Sequence, residues 1–252
     1  MASNVLVVSA DSQGSAVWWA DRVGDNALPF DFTQLDLPSE EEEDALDAEA
    51  LRALRDEVRN TIRRLKKLAP RIHVVANQKG GVGKTTTTVN LAAVVEEVLG
   101  GGAEGGDGSR YAHIFIDTPG SLREQYILEA CLDIGEDVVV PMIPEPLCFD
   151  ATKRTVHNLI QPKAAESGKM KYRVLLNNWD PRDGVSDRDQ TLGFMDAQKW
   201  PRAKTVVRRY KVHTRASAEG HVVTQYPKNR TSMEAREDYF RLALELGYGG
   251  AA

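Results

Sequence analysis

Cysteine is scarce in this 252-residue chain: Cys131 and Cys148 are the only two, and they stand far apart. No C-x-x-C pair occurs, so neither a disulfide framework nor a zinc site is expected. No apolar run approaches the roughly 18 residues that a bilayer crossing needs. The opening MASNVLVVSA has no basic stretch and only a short apolar run, so no secretory leader is expected. A cytoplasmic address is the default reading of these absences. Hydrophobic residues make up 42% and charged residues 27%, the balance of a soluble globular protein, and the length allows one or two domains.

Charge of one sign is missing from one segment and nearly missing from another. Residues 36–49 hold eight acids and no base, although the whole chain carries only −5. Residues 199–230 hold nine bases against one acid, Glu219. A strongly basic segment in an acidic protein suggests a local polyanion-binding surface. A solvated face that balances acids elsewhere explains the same charge, and charge alone does not choose between them.

Asn4–Ser9 is a β-branched run that predicts a buried strand. A Pro/Asp-rich stretch, Leu28–Pro38, follows. Ser39 with Glu42 three residues on fits a capping box. Leu51, Leu54, Val58, Ile62 and Leu65 then recur at helical spacing, with Arg63, Arg64, Lys66 and Lys67 near the end, where cations suit the helix dipole. Pro70 stops this helix, read over 46–68. Further strands are predicted at Ile72–Ala76, Ala112–Ile116, Asp137–Pro141 and Tyr172–Asn177, with a last one at Lys204–Val207. Helices are predicted at Thr85–Leu99, Leu122–Cys131, near 151–160 and at Met233–Leu246. Residues 100–110, mostly glycine, read as a flexible linker. Alternating strands and helices imply an α/β fold: a doubly wound, mostly parallel sheet with helices on both faces.

The strongest chemical signal lies between a strand and a helix: Lys79-Gly80-Gly81-Val82-Gly83-Lys84-Thr85-Thr86. Glycines let several N–H groups turn toward phosphate oxygens. Lys84 adds a charge near the β- and γ-phosphates, and Thr85 offers a hydroxyl to Mg²⁺. The pattern G-x-x-x-x-G-K-[ST] misses its first glycine, where Gln78 stands, whereas K-G-G-x-x-G-K-[ST] fits completely. A second apolar strand, Ile114-Phe115-Ile116, delivers Asp117 to Thr118-Pro119-Gly120, an arrangement able to hold Mg²⁺. A third, Val5–Ser9, leads into Ala10-Asp11-Ser12-Gln13-Gly14.

Together these resemble the ParA-type partition ATPases, whose P-loop is the deviant Walker A shared with MinD and the nitrogenase iron protein. The resemblance spans most of the chain except roughly 40–70 and 100–110. It implies a P-loop NTPase that binds ATP or ADP with Mg²⁺ and hydrolyses ATP. Gly80, Gly81, Val82, Gly83, Lys84, Thr85 and Thr86 would cradle the phosphates, Thr85 and Asp117 would hold the metal, and Lys79 would reach the partner's ATP in an ATP-state homodimer. The lack of C-x-x-C counts against the iron–sulfur branch. Asp11 matches the acid that orients the attacking water in D-x-D-P-Q-G, but Ser9 replaces the first Asp and Ser12 the Pro, departures that bear on turnover more than on binding. Asn177, in Leu175-Leu176-Asn177-Asn178, matches the adenine-reading Asn; a turn role is the lesser alternative for Asp11 and Asn177. The resemblance further implies nonspecific DNA binding, for which Arg208, Arg209, Lys211 and Arg215 are the chosen contacts, and a ParB-type partner protein. It implies nucleoid association without a membrane role, since the terminal helix lacks a basic amphipathic tail.

The block order departs from the family. There the glycine-loop strand comes first, then the switch strand, then Walker B; here the switch block, 4–68, precedes the P-loop unit, 72–99. A linker, 100–110, and the Walker B and C-terminal half, 111–252, complete the single expected domain. The Glu run and the glycine linker look like joins, which suggests an engineered rewiring or a natural rearrangement. The alternative to a working ATPase is a rewired nucleotide-binding scaffold with little turnover. Three strands should converge in the order switch, Walker B, glycine loop, with the 46–68 and 85–99 helices on opposite faces.

Overall fold

The computed structural model describes residues 3–11, 15–22, 28–99, 109–226 and 229–248. Six strands form one sheet: β1 (Val5–Ser9), β2 (Asp31–Gln34), β3 (Arg71–Val75), β4 (His113–Asp117), β5 (Asp137–Met142) and β6 (Lys171–Leu176). Their order across the sheet is β2-β1-β4-β3-β5-β6, and every neighbouring pair is parallel. Parallel strands covered on both faces read as continuous apolar runs, and β1 and β4 are buried at all five of their positions.

Successive side chains divide between two cores, as the pleat requires. Leu6, Val8, Ile72, Val74, Ile114 and Ile116 face one core; Val5, Val7, Val75 and Phe115 face the other. On the first face lie α3 (Ala48–Arg64), α5 (Gln125–Ile134) and the α6–α7 rod, where Pro146–Thr155 and Gln161–Ser167 flank a π-turn at Val156–Ile160. On the second lie α4 (Lys84–Leu99), Trp19 of α1 (Ser15–Ala20), α9 (Lys211–Glu219) and α10 (Arg230–Leu246). The short α2 (Glu40–Asp44) and α8 (Ser186–Ala197) complete the described helices.

The connections obey one rule. Those stepping toward the β2 edge, through α1 and α4, place their helices on the second face. Those stepping toward β6, through α3, α5 and α6–α7, place theirs on the first. All five crossovers therefore share one hand, the uniformity expected of right-handed βαβ units. The predicted neighbours β1-β4-β3 and the opposite placement of α3 and α4 are both found.

Several elements differ from expectation. The stretch Leu28–Pro38 contains β2, an edge strand paired only with β1. The 46–68 helix is α3, capped by Asp47, followed by a 3₁₀ turn over Leu65–Lys67. The capping box at Ser39 and Glu42 is present but starts α2 instead. The acid run is not merely solvated: Glu43 is buried and accepts from Tyr126 Oη at 2.7 Å and Arg55 Nη2 at 3.3 Å. Lys204–Val207 is not a strand. The N–H groups of Lys204 and Thr205 donate to the Glu245 carboxylate, which leaves only isolated bridges at Arg202 and Arg208 beside β6 and Trp179. Most of the 100–110 linker lies outside the described residues, as do Ser12, Gln13, Gly14 and Lys228.

Candidate nucleotide site

The carboxyl ends of β1, β4 and β3 are in register: Ser9 and Val75 both stand opposite Asp117. The chain leaving β3 is braced before it turns. Asn77 Nδ2 donates to the Pro141 carbonyl and to Thr152 Oγ1, both at 2.9 Å. The Gln78 N–H donates to Thr155 Oγ1 at 3.0 Å, next to the π-turn, a distortion that often marks functional sites. Val82 is buried beneath the loop with Ile143 and Cys148. Gly81 and Gly83 have φ of +78° and +84°, a region side chains avoid. The helix α4 begins at Lys84, so its first N–H groups add to a positive dipole end.

This loop floors a cavity of about 650 Å³. Gly80, Gly81, Gly83, Lys84, Thr85 and Thr86 line it, together with Asp11, Trp19, Gly120, Ser121, Glu124 and Ser217. Lys84 is 8% exposed, and its Nζ donates to the Lys79 carbonyl at 3.2 Å. Burial holds its ammonium below the usual lysine range, against the pull of Asp117, Asp11 and Glu124. Thr85 Oγ1 donates to Asp117 Oδ2 at 2.7 Å. Asp117 is fully buried, and burial raises its carboxyl to about 7 despite the Thr85 hydrogen bond and the Lys84 charge. Its Oδ1 has no hydrogen-bond partner. A buried, orphaned carboxylate oxygen beside a threonine hydroxyl suits a hard divalent cation, which takes oxygen ligands.

Asp11, Lys84, Thr85 and Asp117 are thus brought together. Other predicted residues fare differently. Asn177 is buried, and its Nδ2 donates to the Val82 carbonyl at 2.7 Å; it braces the loop. Its neighbour Asn178, with φ of +57°, is exposed. Both line a second cavity of about 370 Å³ that shares Gly81, Gly83, Thr86 and Ser217 with the first. Lys79 does not line the larger cavity of its own chain. Arg208 is committed inward, donating to Asp238 at 2.8 Å and stacking on Tyr210. Arg209, Lys211 and Arg215 are exposed. Trp19, Ser121, Glu124 and Ser217 were missed by sequence reasoning, because none belongs to a spaced motif; each is delivered by tertiary packing.

Strand, positive-φ glycine loop, Lys-Thr helix start and an Asp-ended neighbouring strand define a P-loop NTPase of the α/β class. A family model described as an AAA domain matches residues 70–99. Maintenance of carboxysome distribution protein A from Gloeobacter kilaueensis is 31% identical over 211 residues, spanning 70% of this chain and 94% of that protein. An aspartate-to-alanine variant of McdA from Cyanothece, in complex with ATP, superposes with a TM-score of 0.53 at 11% identity, covering 100% of this chain and 88% of its own. The cell division ATPase MinD of Pyrococcus furiosus does so with a TM-score of 0.52 at 18% identity, covering 70% and 98%. The chain belongs to the ParA-type P-loop ATPase family, as a relative of maintenance of carboxysome distribution protein A. Among the described residues no helix is long and apolar enough to cross a membrane.

Proposed function

We propose that this protein binds Mg-ATP and hydrolyses it, forms a homodimer in the ATP state, and in that state binds DNA nonspecifically to position a cargo. The observation that carries the reading is the Thr85–Asp117 pair beneath a glycine loop, with Lys84 and Asp11 lining the same cavity. The loop N–H groups and Lys84 bind and orient the phosphates. Thr85 and Asp117 would hold Mg²⁺, which would supply neutralisation of phosphate charge. Asp11, which lines the same cavity, orients the attacking water and accepts its proton. Lys79 reaches the partner's nucleotide. Exposed Arg209, Lys211 and Arg215 contact DNA phosphates, and Asn177 or Asn178 meets the adenine edge. The name of the relative concerns carboxysome distribution, and a comparable body is one cargo; a plasmid or chromosome joined through a ParB-type protein is the other.

The uninterrupted sheet supports the transposed order of blocks: β1 takes its place beside β4 although its block comes first in the chain. A match spanning 94% of the relative but 70% of this chain is in keeping with one block lying outside a collinear alignment. One observation favours a second reading, a rewired scaffold with little turnover. Ser9 stands at the register position beside Asp117 with a buried hydroxyl that makes no hydrogen bond, where an acid is usual in the family. Phosphate release at saturating Mg-ATP separates the two. Turnover abolished by Asp11→Ala supports the ATPase; tight nucleotide binding without phosphate release supports the scaffold.

A further inference from the structure

Glu124 is the one cavity-lining acid to which no sequence motif gives a role. It immediately precedes α5, and its carbonyl accepts from the N–H groups of Ile127 and Leu128, so its backbone is fixed as a helix start. Both neighbours are held. Arg123 donates to the Glu40 carbonyl and to Asp44 on α2. Gln125 accepts from Gln78 at the base of the glycine loop and donates to Glu129. Between these anchors Glu124 is only 8% exposed, and it lines the phosphate cavity with Asp11, Lys84 and Thr85. Its charge acts on Lys84 together with those of Asp117 and Asp11.

Three carboxylates therefore surround one ammonium before any phosphate arrives. A nucleotide brings several more negative charges, and like charges sharing a partly desolvated cavity repel. A carboxylate at the cavity wall that is not a direct ligand acts through water held by the metal, and such outer partners set metal affinity.

Resting on the nucleotide-site reading, we propose that Glu124 is a positioning residue for the metal–phosphate complex: it accepts hydrogen bonds from metal-bound water and repels metal-free nucleotide. It thereby makes binding depend on the divalent cation. The same carboxylate acts in opposite directions in the two conditions, which a merely structural residue would not do.

The test is calorimetric ADP affinity for the full-length protein and Glu124→Gln, each with excess Mg²⁺ and with EDTA. The amide keeps the side-chain volume, and equal thermal midpoints of the apo proteins check the fold. Glu124→Gln should bind Mg-ADP about tenfold more weakly and metal-free ADP about threefold more tightly. Glu124→Asp, which keeps the charge, should retain tighter binding with Mg²⁺ than with EDTA. An unchanged ratio of the two affinities in Glu124→Gln overturns the proposal. If the unaltered protein binds no ADP in either condition, the nucleotide-site reading itself fails, and that outcome is distinct.

Discussion

Asn177 reaches across 95 residues of sequence to donate from Nδ2 to the carbonyl of Val82 at 2.7 Å, so the residue after β6 clamps the glycine loop at its buried valine. The clamp leaves no room at Gly83: a Cβ there would lie 2.4 Å from Asn177 Nδ2, on a backbone with φ of +84°. Gly83→Ala should abolish ADP binding in calorimetry, because both the strained φ, costing about 1–2 kcal/mol, and the displaced amide distort the cradle. Asn177→Ala should weaken ADP binding by about tenfold, since one hydrogen bond contributes about 1 kcal/mol and the loop loses its fixed shape. Undiminished affinity in both variants would mean that the loop does not hold phosphate in this shape.

The two loop lysines should separate cleanly. Lys84 is buried in the cavity wall, whereas Lys79 contributes its carbonyl to Lys84 and does not line that cavity. Lys84→Ala should abolish ATP and ADP binding. Lys79→Ala should leave ADP binding within about twofold and abolish ATP-dependent dimerisation, read by light scattering; one removes a phosphate-facing charge, the other a charge offered across an interface. Equal loss of ADP binding in both would make Lys79 a ligand within its own chain.

Much of this architecture is legible in the sequence for a physical reason: the site is built where apolar strands end, and a buried parallel strand leaves a strong local signal. Asn4–Ser9, Ile72–Ala76 and Ala112–Ile116 announce themselves within a residue or two, and the glycine loop is announced by its own residues, although Asn177, far away in sequence, completes its geometry. The edge strand β2 does not, because Asp-Phe-Thr-Gln is half-exposed and needs no apolar pattern. Lys204–Val207 misleads in the opposite direction. Its valines suit a strand, but Glu245, 41 residues from Lys204, takes the N–H groups that a ladder would use. The burial of Glu43 under Tyr126 and the place of Glu124 in the cavity wall depend on contacts about 80 residues apart or on a helix start, which no local window contains.

A pair of buried histidines on the sheet should make the fold acid-sensitive. His73 Nε2 and His113 Nδ1 lie 2.7 Å apart, stacked among Phe115 and Tyr248, with Arg71 repelling and Asp137 attracting protons. Burial holds both imidazoles below the usual 6.5, His113 at about 3. Below pH about 6.5 the unfolded chain binds protons that the folded chain refuses, so stability present above that pH is lost as pH falls toward the folded values. The urea midpoint should drop between about pH 7.5 and about pH 5, and His113→Gln should flatten the slope. A flat profile in the unaltered protein would show that other groups compensate for the pair.

The basic segment makes the last prediction, and the structure divides its arginines. Arg208 is bound to Asp238, which is 4% exposed on its side chain. Arg208→Glu would leave that carboxylate buried beside a like charge, at a cost of about 3 kcal/mol. It should lower the thermal midpoint before it says anything about DNA. Arg209, Lys211 and Arg215 are exposed, and Lys211 and Arg215 stand four apart on α9, hence on one face. Charge reversal at these three should leave the midpoint nearly unchanged and weaken binding to duplexes of any sequence alike. Every phosphate that a reversal leaves without its cation should reduce the slope of log affinity against log salt by about 1. Binding should need ATP, because a dimer doubles the basic surface available to one duplex. Fluorescence anisotropy with a labelled duplex at low and moderate salt, with ATP or ADP, reads all of these. Absence of DNA binding in the ATP state at low salt would remove DNA from the proposed function while leaving the nucleotide site untouched. A defect confined to Arg208→Glu, tracking its stability, would show that the basic segment is a folding element rather than a polyanion surface.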